Sequence, residues 1–135
     1  TANIVESAAM ISSLDPVPVE EDPLEVTPLL YHTSPLTLSD PLGSRIAEPH
    51  FYVDVTSAIE TKKQMLEFHV SQQDLMRHMH RMNDFFGYVL QGNKDYGKDV
   101  DIEYAEVYWQ HMGGGFQKEG QIQRDLADFI IHNKK

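Results

Sequence analysis

The sequence predicts an α/β chain that is mostly helical and carries two or more short strands. Three observations predict it. "FYVDV", residues 51–55, alternates Phe51, Val53 and Val55 with Tyr52 and Asp54, the period of a strand with one face on a core. Helical spacing follows at once, in "IETKKQMLEFHVSQQ" (59–73). All seven prolines fall between Pro16 and Pro49, so the second half is free for helices to run.

The elements follow in order. Ile4, Val5, Ala8, Ile11 and Leu14 recur at helical spacing and predict a short leading helix. "DPVPVEEDPLEVTP" (15–28) joins four prolines to five acids, which suits neither a helix interior nor a central strand. It reads as an irregular surface excursion. "LLYHT" (29–33) predicts a brief strand, and "SPLTLSDPLGSR" (34–45) a loop. After the 51–55 strand, Ser57 and Glu60 match a capping box. Ser71 and Asp74 open another helix, with Leu75, Met79, Met82, Phe86 and Leu90 on one side. "QGNKDYGKD" (91–99) breaks it. Asp101 caps a third helix, "IEYAEVYWQH" (102–111), which "MGGG" ends as a flexible connector. Ile122, Leu126, Phe129 and Ile130 predict a last helix, its negative end suited to Lys134 and Lys135.

Composition narrows the function classes. The 135 residues suit one domain or a large part of one. Within it, 15–50 is a proline-rich loop region with a short strand, and 51–135 a strand plus helical region. A net charge of −10 argues against nucleic acid or an anionic membrane as partner, since both need clustered cations. No apolar run approaches the ~18 residues of a membrane span, and no signal peptide is seen. A chain that opens at Thr1 reads as a processed product, a trimmed one or a fragment. With no cysteine, disulfides and thiolate zinc sites are excluded, and the expected compartment is the cytoplasm. Met76, Met79 and Met82 suit core or subunit contact, so a homo-oligomer is an admissible assembly. His78 and His80 lie roughly 200° apart on a helix, so they read as an exposed basic face and not a metal grip.

Lys62 and His69 share the helical face of Ile59 and Leu66. Two readings stand. Lys62 lays its methylenes on the core and snorkels outward while His69 caps carbonyls, or both bond to a loop that shapes a pocket. Tyr31 and His32, at the expected end of a strand, are candidates for a substrate wall. The alternative makes Tyr31 a core aromatic.

The stretch "YVDVTSAIETKKQMLEFHVSQ" (52–72) resembles the C-terminal signature of the LmbE-like, or PIG-L-like, metal-dependent N-deacetylases. The residues that carry the resemblance are Val53, Asp54, Val55, Thr56, Ile59, Lys62, His69, Ser71 and Gln72. "TANIVESAAMI" is similar to the helix after the family's His-Pro-Asp-His motif, and "YAEVYW" (104–109) to a late segment of longer members. The resemblance implies a Rossmann-like α/β fold, of which this chain is the C-terminal part. It implies a zinc-dependent hydrolase that removes an N-acetyl group from an amino sugar or related amide. The family's two metal-binding motifs are absent from this sequence. Zinc is therefore expected on residues outside this segment, and no metal ligand or catalytic residue is carried onto it. Lys62, His69, Ser71 and Gln72 are expected to support the pocket, and the segment alone to be inactive. The competing reading is a non-catalytic interaction or carbohydrate-binding module on the same scaffold.

Overall fold

The computed structural model describes residues 2–15, 20–34, 42–44, 46–116 and 124–132. In chain order they form α1 (Ala2–Ile11), β1 (Tyr31–Thr33), β2 (Phe51–Asp54), a 3₁₀ turn (Thr56–Ala58), α2 (Ile59–Glu67) and α3 (Val70–His80). Then come α4 (Phe85–Asp99), β3 (Ala105–Gln110), a 3₁₀ segment (Arg124–Phe129) and β4 (Ile130–His132). Pro35 to Pro41, Ile122, Lys134 and Lys135 lie outside the described residues. Residues 20–30 are irregular and largely exposed, as their prolines and acids predict.

The strands form one sheet in the order β1-β3-β2-β4, with every pair antiparallel. The chain is thus mixed α/β. A Rossmann-like sheet is built on parallel pairs, and none occurs among the described residues.

Three expected helices differ. "AEVYWQ" is the central strand β3, not the body of a third helix. Its apolar residues satisfy both periods, but Val107, Tyr108 and Trp109 are β-formers that pair well on both sides. "QGNKDYGKD" does not break a helix; it is the second half of α4. Gln91 and Lys98 both bond Asp95 within one turn, and Asn93, Tyr96 and Gly97 face inward. The true break comes at Arg81, whose φ of 55° turns the chain after α3, and Asp84 caps α4 by accepting from the Gly87 amide at 2.8 Å. The last segment is 3₁₀ and then strand, with Ile130 and Ile131 in β4 pairing with β2. The Ser57–Glu60 box is not formed: α2 starts after Ala58, without a side-chain cap.

The core is small and aromatic. Tyr52 lies opposite Val107, and both are 1% exposed. Ala105 and Tyr96 of α4 complete the cluster. On the other face, Phe51 stacks on Tyr108 at 5.5 Å and meets Tyr31 edge-on at 5.6 Å. β2 is therefore buried on both sides at its start. Within β2 the deepest residue is Tyr52 and not the Phe51–Val53 row, because α4 covers the Tyr52 face.

α4 ends in a Schellman turn. Asp101, with φ 62°, is no helix cap but the left-handed residue of that turn, and the Ile102 amide donates to the Gly97 carbonyl at 3.0 Å. A Cβ on Gly97 would stand 2.6 Å from the Ile102 oxygen and 2.8 Å from the Glu103 oxygen. Gly97→Ala is expected to destabilise the protein by about 1–3 kcal/mol, since backbone must move to admit the methyl. Urea denaturation checks this. An unchanged midpoint would mean that the approach of α4 to the 102–103 loop is slack.

α1 orients against its pattern. Glu6, Ala9 and Met10 turn inward, while Ile4 (73% exposed), Val5 and Ile11 face out. Its dock is the "MGGG" connector: a Cβ on Gly114 or Gly115 would come within 3.0 Å of the Met10 methyl. The glycines leave room for Met10 and make that stretch a seat.

Candidate functional site

Beyond Thr33, β1 stops, and among the described residues no strand covers the edge of β3. The register puts the odd-numbered backbone groups of β3 on the β1 side, as in the His111 amide donating to Leu30. The Ala105 carbonyl would be left alone there. Asn93 of α4 fills the place of the missing strand, its Nδ2 donating to that carbonyl at 2.8 Å. Asn93 is 5% exposed, so both ends of its amide need partners. Lys62 supplies the second, its Nζ donating to Asn93 Oδ1 at 2.8 Å.

The same Nζ donates to Glu106 Oε1 at 2.6 Å. Tyr108 donates its hydroxyl to the other carboxylate oxygen at 2.7 Å. Burial pushes the Glu106 carboxyl up, but the bonds from Lys62 and Tyr108 outweigh it and hold it below the ordinary value. Burial, together with the Glu106 carboxylate, pushes the Tyr108 phenol well above its usual range. A carboxylate so pinned is a weak proton acceptor. The group is built to hold position.

Around it lies a half-open cleft of about 140 Å³. Thr33, Ser34, Lys62, Asn93, Tyr96 and Glu106 line it. Ser34 Oγ and the Tyr96 hydroxyl stand 2.7 Å apart at its wall. The residues lining the cleft thus carry an ammonium, a carboxylate, an amide and three hydroxyls, a set suited to a small polar molecule.

The residues expected from the sequence divide. Ile59, Lys62 and Leu66 form the half-buried stripe of α2, as their spacing predicts. Lys62 does not snorkel outward; its ammonium turns in toward Glu106. His69 is exposed at the start of α3, and Ser71 and Gln72 are exposed beside it. These three do not line the cleft, because the chain leaves α2 after Glu67 and the stripe ends with it. Tyr31 is half-buried and packs edge-on against Phe51. His32 lies mid-strand, not at a strand end, and its Nε2 is 2.8 Å from Nδ1 of His111. Neither Tyr31 nor His32 lines the cleft; the next two residues, Thr33 and Ser34, do. His78 and His80 are exposed on α3, as expected.

Glu106, Asn93 and Tyr108 escaped the sequence reading. The available signal was the alternation in "AEVYWQ", which makes Glu106 and Tyr108 same-face neighbours two residues apart.

The fold and site define an α/β protein with an antiparallel sheet and a lysine–glutamate cleft at the edge of its central strand. Comparison with protein-family models, curated proteins and solved structures finds no match. Among the described residues, no helix is long and apolar enough to cross a membrane.

Proposed function

We propose that this chain is the pocket-supporting C-terminal part of a zinc-dependent N-deacetylase acting on an N-acetylated amino sugar or related amide. One observation carries the reading. The two stretches that resemble the family, 52–72 and 104–109, are bound to each other. Thr56 Oγ1 accepts from the Tyr104 amide at 3.2 Å, the Val55 amide donates to the Tyr104 carbonyl at 3.1 Å, and Lys62 reaches Glu106. Asp54 Oδ1 accepts from the Thr56 amide at 2.9 Å and fixes the turn that aims α2. Asp54, Thr56 and Lys62 of the signature thus join strand, turn and helix beside the cleft, while His69, Ser71 and Gln72 stand exposed outside it.

Zinc, held by residues outside this chain, would lower the pKa of its water to about 7 and polarise the amide carbonyl. This chain's residues keep the wall in place and present Lys62 and the Ser34–Tyr96 hydroxyls to the substrate. The Rossmann-like architecture belongs to the same reading, with parallel strands supplied by the rest of the domain. The exposure of Ile4, Val5, Met65, Phe68, Val70 and Met79 is consistent with it, because these apolar side chains offer surface that the rest of a larger domain would cover.

The test measures acetate release from N-acetylglucosamine derivatives. A polypeptide that carries this segment together with its upstream motifs is expected to turn over, and the 135-residue segment alone to release nothing. Turnover by the segment alone, or none by the longer protein, overturns the reading. Saturable sugar binding without turnover would select the non-catalytic module instead.

A further inference from the structure

We propose that Glu6, His32 and His111 form a binding site for a divalent transition metal of the zinc class, which clamps α1 to the end of the sheet. The site is separate from the deacetylase reading, whose zinc ligands lie outside this chain.

The sheet register brings the two histidines together. His32 of β1 stands opposite Trp109, and His111 lies two residues further along, so both imidazoles are on one face as diagonal neighbours. Diagonal pairs are within reach of long side chains. Here the facing nitrogens, His32 Nε2 and His111 Nδ1, are 2.8 Å apart, with ring centroids at 5.1 Å. Phe116 meets the His111 ring edge-on at 4.7 Å and fixes its tilt. The third donor comes from α1. Met10, seated over Gly114 and Gly115, fixes the helix, and Glu6 lies one turn earlier on the same face. Its Oε1 is 3.9 Å from His32 Nε2. All three donor atoms lie within 4.8 Å of one another.

These spacings are close to what a metal requires. Four-coordinate zinc, with ligands at about 2.0–2.1 Å, spaces its ligand atoms about 3.3 Å apart. The two nitrogens must part by about half an ångström and the carboxylate close on His32 by a similar amount, while its approach to His111 starts from within 4.8 Å. Without metal, one of the two facing nitrogens carries the hydrogen that the other accepts. A dication satisfies both nitrogen lone pairs and the carboxylate at once. Two imidazoles and one carboxylate suit zinc, cobalt, nickel or copper, while calcium and magnesium prefer oxygen donors. A fourth position stays open to water. The net charge of −10 further favours uptake of a cation.

The role follows from what α1 lacks: it contains no fully buried residue. A bond from Glu6 to a metal held by β1 and by the residue after β3 would fasten it.

The test is zinc titration of chelator-treated protein by calorimetry, with cobalt spectra to report the coordination geometry. One zinc per chain is expected, with a rise in melting temperature and a tetrahedral cobalt spectrum. Glu6→Gln and the double variant His32→Ala/His111→Ala should each weaken binding at least about tenfold. His78→Ala/His80→Ala, on the exposed face of α3, should leave it unchanged. Circular dichroism establishes that each variant is folded, and Glu6→Gln, at the rim, carries the test if the double variant is not. Absence of one-to-one zinc binding overturns the proposal. So does binding that survives Glu6→Gln and the double variant but falls in the α3 variant.

Discussion

Tyr52→Ala is expected to lower the unfolding free energy by about 3–5 kcal/mol, the range for truncating a buried aromatic. Tyr52 is 1% exposed and packs among Tyr96, Ala105 and Val107. That cluster joins β2, β3 and α4, so its loss loosens the sheet and its covering helix together. Natural domains hold only about 5–15 kcal/mol in total, so the variant should be largely unfolded at modest urea. Phe68→Ala is the comparison. Phe68 is 86% exposed, and its loss should stay within about 0.5 kcal/mol. Equal shifts in the two variants would mean that the aromatic cluster is not the core of this protein.

Lys62→Met should cost about 2–3 kcal/mol, because it keeps the stem and leaves Glu106 and Asn93 short of a donor. The pair is only partly buried, which keeps the figure below that of a fully enclosed ion pair. His69→Ala, on the same helical phase in the sequence, should cost no more than about 0.5 kcal/mol, since its side chain is exposed. The pH profile gives a second readout. The Glu106 pKa is lowered on folding, so its contribution is present above the unfolded value of about 4.3 and lost as pH falls through the folded one. The Tyr108 pKa is raised, so its contribution is present below about 10 and lost as pH rises toward the folded value. Lys62→Met should flatten the acid limb, and Glu106→Gln should weaken both limbs. Acid and alkaline limbs that match wild type in Glu106→Gln would show that the Lys62–Glu106–Tyr108 chain is not formed in solution.

Much of the first half was legible. The strands at 31–33 and 51–54 lie within the runs their patterns predict, and the prolines and acids of 20–28 give exposed irregular chain. The inward phase of Lys62 was legible too, because three- and four-residue steps from Ile59 put it there whatever surrounds it. Its partner was not, since Glu106 is forty-four positions away and was hidden in a segment whose apolar residues fit a helix as well as a strand. The α1 stripe misled for a related reason: spacing gives the phase of an apolar face, and not whether anything lies against it.

Local sequence therefore determined which segments could be strand or helix, where the chain could not be regular, and that a lysine would share the α2 inner face. Tertiary structure alone decided that 105–110 would be the central strand, that Asn93 would stand in for a missing edge partner, and that Glu6 would meet His32 and His111. Those outcomes rest on pairing across long separations, where burial and hydrogen-bond satisfaction of both partners outweigh the fraction of a kilocalorie per residue that local propensity supplies.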